Sequence, residues 1–296
     1  MRILLTGATG FIGQALLAAA PPEFAFVTLG RRPAPVARRD LVHIDADLSA
    51  PQSVQSALES GRVEPPIDVV MHLAVSRFHR GFPETALDMF NVDVATAVQL
   101  LDFARRAGAR QFILGSTGTV YHPFKQATCR EDDLLEPQTY SALSKLAAER
   151  FALVYSPTYF DVFVPRFFSP YGPGQDDRLI SGLTDNVIAG RPIRLPPQGD
   201  GLSTAPLYLD DAVRVLLAAI SEGWRGIVNI GGPQALTLTE IAHIIGRIVG
   251  REPVFERSAG ALDAALVPDL ERLSRLMPLD TFVAFEEGLA RYVMRE

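Results

Sequence analysis

Thr6-Gly7-Ala8-Thr9-Gly10-Phe11-Ile12-Gly13 decides the fold of this chain. It follows the apolar run Arg2–Thr6, which reads as a strand, and leads into residues 11–20, whose composition is helical and which stop at Pro21-Pro22. Between a strand and a helix each glycine has a physical task. Gly7 allows the tight turn, Gly10 lets the backbone approach a pyrophosphate, and Gly13 lets helix and strand pack closely. Amides at the helix start, with Thr9, Phe11 and Ile12 around them, then face the phosphates. The stretch predicts a dinucleotide held at the carboxyl edge of a parallel sheet.

Working outward, the alternation continues. Residues 24–29, 41–44, 68–73, Gln111–Leu114 and 161–164 read as strands. Residues 68–73 form an apolar run, as a strand buried on both faces should. Residues 51–58 read as a short helix with Ser49 as its N-cap, residues 85–107 as a long helix ended by Gly108, and residues 140–154 as another helix. Alternating βα units predict an α/β fold built on a doubly wound parallel sheet. After Pro165 the texture changes, with Pro and Gly clustered at 170–174 and 190–201. Residues 206–209 and Gly226–Ile230 still read as sheet, and Leu238–Val249 as a helix beginning after Thr237 or Thr239. Residues 1–166, with 206–231 returning to the sheet, are expected to form a dinucleotide-binding domain. Residues 167–205 and 232–296 are expected to form a smaller substrate-binding lobe.

The 296 residues are enough to bury a full core, and 48% hydrophobic with 21% charged residues is a globular balance. A net charge of −6 argues against nonspecific binding to nucleic acid or anionic membrane. One cysteine, Cys129, forbids an internal disulfide and fits a reducing cytoplasm. The N-terminal apolar run breaks at Gly7, and no stretch approaches the roughly 20 residues that span a bilayer. His43, His72, His122 and His243 show no metal-ligand spacing, so no metal is expected.

The ordered set of motifs resembles the extended short-chain dehydrogenase/reductase family, of the NAD(P)-dependent epimerase/dehydratase type. The set begins with Thr6–Gly13 and continues through Asp45-Ala46-Asp47-Leu48, His72-Leu73-Ala74, Asn91, Ser116-Thr117-Gly118-Thr119-Val120-Tyr121 and Lys145-Leu146-Ala147-Ala148-Glu149. It ends with Pro165-Arg166-Phe167-Phe168, Tyr171-Gly172-Pro173-Gly174-Gln175, Asn229-Ile230-Gly231-Gly232 and Thr239-Glu240-Ile241-Ala242. The resemblance implies a Rossmann-type sheet with a smaller C-terminal lobe. It also implies cofactor contacts from Asp47 and Leu48 at the adenine, and from Leu73, Ala74, Asn91, Lys145 and Phe167. A homodimer paired through the helices at 85–107 and 140–154 is implied as well.

At the end of the second strand the chain reads Leu29-Gly30-Arg31-Arg32. An acidic residue there would favour NAD through the ribose 2′-hydroxyl, and none is present. Arg31 and Arg32 suit a 2′-phosphate, so NADP(H) is expected in preference to NAD(H).

Family members that perform redox chemistry use a Tyr as general acid/base, a Lys four residues later and a Ser or Thr hydroxyl on the reacting oxygen. Thr117 and Lys145 match. Tyr140 lies five residues before Lys145, and Ser141 holds the four-residue spacing. In a regular helix i,i+5 partners differ by about 140°. A one-residue bulge, or an extended Tyr140 ahead of the helix, would bring the phenol back. With neither, Ser141 occupies the acid/base position.

Ser116, beside Thr117, and Ser169, where family members often carry Asn, are expected at the substrate. Arg77, His79 and Arg80 leave the carboxyl edge of the sheet and suit an anionic group. Ala205-Pro206 replace the usual Arg-Asp pair, which puts a nucleoside diphosphate in doubt unless Arg178 or Arg194 compensates. The expected function is an NAD(P)-dependent oxidoreductase or epimerase acting on a hydroxylated or keto small molecule, by resemblance a sugar. The alternative is an NADP(H)-binding protein with lost or altered catalysis.

Overall fold

Runs of consecutive fully buried residues mark the core of the central sheet. Ile3, Leu4 and Leu5 are 0% exposed, and so are Val69, Val70 and Met71. Such residues need cover on both faces, which only a sheet between helical layers provides. The computed structural model describes residues 1–78, 80–121, 128–176, 178–261 and 263–294.

Among the described residues the central sheet has eight strands. They are β1 (Arg2–Thr6), β2 (Ala25–Gly30), β3 (Leu41–Asp45), β4 (Val69–His72), β5 (Gln111–Leu114), β6 (Ser116–Thr117), β7 (Asp161–Phe167) and β8 (Gly226–Ile230). The order is β8-β7-β5-β4-β1-β2-β3, with the short β6 paired to β7. The pairings of β1 with β2 and β4, of β2 with β3, and of β5 with β4 and β7 are parallel. After β1 the chain moves to one side through β2 and β3, then crosses to β4 on the other. The topological switch point is therefore the gap between the carboxyl ends of β1 and β4, where open α/β sheets take their ligands.

Among the described residues the helices of nine residues or more are α1 (Phe11–Ala19), α2 (Pro51–Glu59), α3 (86–107), α4 (Tyr140–Tyr155), α5 (Leu179–Ala189), α6 (Leu209–Glu222), α7 (Leu238–Val249) and α8 (Phe285–Val293). Gly108 ends α3 in the left-handed region, at φ 69°. One π-turn, Asn91–Ala95, interrupts α3. Thr237 caps α7 in a reciprocal box with Glu240. Ser49 does not cap α2. The cap residue is Ala50, without a side-chain bond, and the Ser49 hydroxyl turns back to Asp47 Oδ1 at 2.8 Å.

Two compact units divide the chain. The first comprises Met1–Val120, Pro137–Arg166 and Val213–Val228. The second comprises Tyr121–Glu136, Phe167–Ala212 and Asn229–Glu296. In the second, Ile180, Leu183, Ile241, Ile245, Phe285 and Leu289 from α5, α7 and α8 share one core. Leu207–Tyr208, expected to return to the central sheet, pairs instead with Pro170–Tyr171. Two residues on either side suffice only for a short parallel contact, so the sheet regains a strand only at β8.

Candidate functional site

Gly7, immediately after β1, has φ +80°, and a Cβ there would lie 2.6 Å from Ala74 N, on the segment leaving β4. A Cβ on Gly13 would lie 2.1 Å from Gly7 O. Side chains are thus excluded where the turn meets its neighbours. At Gly10 such a Cβ would lie 3.1 Å from Gly7 O, a tight contact but a milder one than at Gly7 or Gly13. Gly10 N–H donates to Gly7 O (2.9 Å) and Gln14 N–H to Gly10 O (3.0 Å), and no side chain caps α1. The first-turn amides of α1 therefore remain available to an anion.

A cavity opens at this point, with an empty volume of about 780 Å³, its mouth included. Gly7–Gly10 form its floor. Gly30, Arg31 and Arg32 line one end with Asp47 and Leu48, and Leu73, Ala74 and Arg77 line the β4 side. Asp47 accepts the Ser49 hydroxyl and the Ser49 amide (3.0 Å), and these bonds hold its carboxyl below the usual range, helped by the charges of Arg31 and Arg77. The loop carrying Asp47 is stapled to α3. Asn91 Nδ2 donates to Ser49 O (2.8 Å), and Thr96 Oγ1 to Leu48 O (2.9 Å). Asn91 supports this wall from behind and does not line the cavity. A nicotinamide dinucleotide fits the donor set, which combines the free backbone amides of the first turn of α1 with the guanidinium groups of Arg31 and Arg32 in one cavity.

Sequence reasoning missed Ser76 and Asp88. Both line the cavity, and the Ser76 hydroxyl donates to Asp88 Oδ2. Twelve residues apart on a loop and a helix, they carry no local signal. Arg77 lies over the Phe78 ring, 4.4 Å from its centroid. Arg80 is exposed and outside the cavity lining, and His79 and His122 lie outside the described residues.

The face of α4 is organised differently. Thr139 is the extended N-cap (φ −124°, ψ 153°), its Oγ1 accepting from Ala142 N at 3.2 Å, and Tyr140 is the first helical residue. α4 is α-helical throughout, so neither rescue of the i,i+5 spacing is present. The Tyr140 ring stacks on Phe82, centroids 5.2 Å apart. The bulge lies instead in α3, and it places Asp93. Asp93 is 0% exposed, accepts the Ser144 hydroxyl at 2.9 Å, and stands 3.3 Å from Lys145 Nζ. Lys145 Nζ also donates to Ala74 O at 3.0 Å, which joins it to the cavity wall.

His72 sits between these parts. Val92 O, in the π-turn, can only accept, so His72 Nε2 (3.1 Å) carries the proton and Nδ1 accepts from Thr6 Oγ1 at 2.6 Å. Burial, and then the Lys145 charge, pull its pKa down to about 3 against the Val92 bond. The imidazole is a neutral brace between β1, β4 and α3.

Thr117 Oγ1 lies 3.0 Å from Thr119 Oγ1 and is partly exposed. Ser116, expected at the substrate, is buried. Its hydroxyl donates to Glu149, which is paired with Arg166 at 2.7 Å, both side chains 1% exposed. Phe167 and Ser169 belong to the second unit. There Ser169 has φ 42°, and its Oγ meets Thr204 Oγ1 at 2.7 Å. Among the described residues no cluster of His, Cys, Asp or Glu could hold a metal.

The profile of the NAD dependent epimerase/dehydratase family matches residues 3–231. UDP-glucuronic acid decarboxylase 1 of Arabidopsis thaliana is 25% identical over 99% of this chain and 69% of its own length. UDP-glucuronate 4-epimerase of Thermodesulfobacterium geofontis is 27% identical over 77% of this chain and 72% of its own length. The solved structure of MoeE5 in complex with UDP-glucuronic acid and NAD superposes with a TM-score of 0.82, at 26% identity, covering 99% of this chain and 98% of that one.

Proposed function

The chain belongs to the NAD dependent epimerase/dehydratase family and is an enzyme of that type, and from this premise we propose that it is an oxidoreductase or epimerase of a hydroxylated or keto sugar, nucleotide-linked or similar. We further propose that it prefers NADP(H) to NAD(H). The cavity at the β1/β4 switch point carries this reading, because it joins the glycine turn, Arg31 and Arg32 in one space.

In this reading Thr9, Gly10 and the amides of Phe11, Ile12 and Gly13 hold the pyrophosphate. Arg31 and Arg32 take the 2′-phosphate with charge-assisted bonds, and Asp47 and Leu48 flank the adenine. Leu73 and Ala74 line the path towards Lys145, which donates to the second ribose. The bound cofactor supplies the hydride acceptor or donor. Thr117 offers a hydrogen bond to the reacting oxygen. Arg77 holds an anionic group, and residues 167–205 and 232–296, Ser169 among them, form a substrate-binding lobe. The relatives named above act on or bind UDP-glucuronic acid, which makes that compound the first to try.

A second reading, altered or lost catalysis, is favoured by one observation: the Lys145 face of α4 bears Ser141, and the only phenol nearby in sequence, Tyr140, stacks on Phe82. Two copies pairing through α3 and α4 are supported by Leu87 (71% exposed), Leu143 (53%) and Val154 (77%) on those helices. Among the described residues no helix is long and apolar enough to cross a membrane. A single cysteine supports a cytoplasmic setting.

Titration of NADPH and NADH tests the reading. NADPH is expected to bind about tenfold tighter, and the Arg31→Ala, Arg32→Ala pair to erase the difference. Tighter NADH binding untouched by those changes overturns the preference. Cofactor binding with no absorbance change at the reduced-nicotinamide band, and no product from UDP-glucuronic acid or a panel of keto sugars, selects the second reading.

A further inference from the structure

We infer that Asp93 discharges Lys145, so that the lysine meets the cofactor as a hydrogen-bond donor without a net positive charge beside the nicotinamide. The inference rests on the dinucleotide reading of the cavity.

Four observations carry it. Asp93 is wholly buried and Lys145 nearly so, its side chain 8% exposed, with 3.3 Å between Oδ1 and Nζ. Asp93 Oδ1 makes no hydrogen bond of its own, so the ammonium charge is what compensates it. The other oxygen receives the hydroxyl of Ser144, Lys145's neighbour on α4. The aspartate's position is imposed by the π-turn Asn91–Ala95, braced by His72. The Asp93–Lys145 pair is therefore a fixed, neutral unit, built from two helices and aimed at the cavity through the Ala74 carbonyl.

A neutral unit has a thermodynamic consequence. The oxidised nicotinamide ring is a cation and the reduced ring is not. An uncompensated ammonium nearby would repel the oxidised form selectively, whereas Asp93 keeps the site even-handed. Asp93 is thus a positioning and charge-setting residue, one that need not touch the cofactor.

The test compares dissociation constants for NADP+ and NADPH, and for NAD+ and NADH, by fluorescence or calorimetry on the full chain. Asp93→Asn is expected to raise the oxidised-to-reduced ratio of dissociation constants about tenfold. Lys145→Met is expected to lower it, and the neutral double variant Asp93→Asn, Lys145→Met to restore the wild-type ratio. The double variant buries no lone charge, so it guards against loss of folding in the single ones. Equal weakening of both forms, or an unchanged ratio in both single variants, overturns the inference and marks the pair as merely structural. Failure of the wild-type protein to bind any of the four overturns the dinucleotide reading and this inference with it.

Discussion

At the glycine turn the working groups are backbone amides, and they are placed by what is missing: no Cβ fits at Gly7 or Gly13. On α4 the working groups are side chains, and they are tied to buried partners on other elements, Lys145 to Asp93 of α3 and Glu149 to Ser116 of β6 and Arg166 of β7. The first region is specified by eight consecutive residues. The second depends on choices made fifty residues apart, so it can change its chemistry while the fold and the cofactor site stay the same.

The sharpest break in this contrast is Glu149→Ala. It leaves Arg166 charged in a site where both side chains are 1% exposed. A loss of about 3–5 kcal/mol in denaturant unfolding is expected. A loss under 1 kcal/mol would mean that buried partners do not organise the α4 side. The turn supplies the next largest effect. Gly13→Ala puts a Cβ 2.1 Å from Gly7 O, with an expected cost of about 1–3 kcal/mol and at least a tenfold loss of dinucleotide affinity. Gly10→Ala, whose Cβ would meet Gly7 O at 3.1 Å, should cost less than Gly13→Ala, about 1 kcal/mol or below, and weaken binding as well. Equal destabilisation by both would erase the distinction drawn between the two glycines.

His72 sharpens the comparison through pH. Its pKa is about 3 when folded, against about 6.5 in an unfolded chain. Between those values only the unfolded chain takes the proton. Its contribution is therefore complete above about pH 6.5 and is lost as pH falls, by up to ~1.4 kcal/mol per unit. His72→Gln should flatten the stability profile between pH 5 and 6.5, and a slope identical to wild type would remove the neutral brace. The smallest effect belongs to Thr139→Ala. Loss of its bond to Ala142 N should cost about 1 kcal/mol in thermal unfolding with little change in cofactor affinity.

The same division explains what could be read from the sequence. The doubly wound sheet followed from apolar runs and glycines, because strand burial and turn sterics are local. Gly7, Thr9, Gly10, Arg31, Arg32, Asp47, Leu48, Leu73, Ala74 and Arg77 come together around one cavity. The off-by-one spacing of Tyr140 was visible, but its outcome was not, since the stacking partner Phe82 lies in a distant loop. Asn91 stands out by resemblance, where the family has an Asn in this helix, whereas Asp93 two positions on is the one that reaches Lys145. Only the π-turn decides between them, and a π-turn leaves no mark in periodicity that a single sequence reveals. Register assigns Thr117 to the reacting oxygen and Ser116 beside it to the substrate, but only the fold shows their neighbours: the Ser116 hydroxyl enters a buried ion pair and that of Thr117 stays at the partly exposed strand end.

The π-turn also makes α3 intolerant of a change in length. Ahead of it Leu87 lies outward, 71% exposed, and beyond it Leu100, Leu101 and Ala104 face inward at 0%. Loss of one residue between 91 and 95 would rotate one half of the helix against the other by about 100°. Either the inward stripe would leave the sheet or the aspartate would leave its lysine. An insertion or deletion within these five positions therefore needs a second one in the same helix to restore both faces at once.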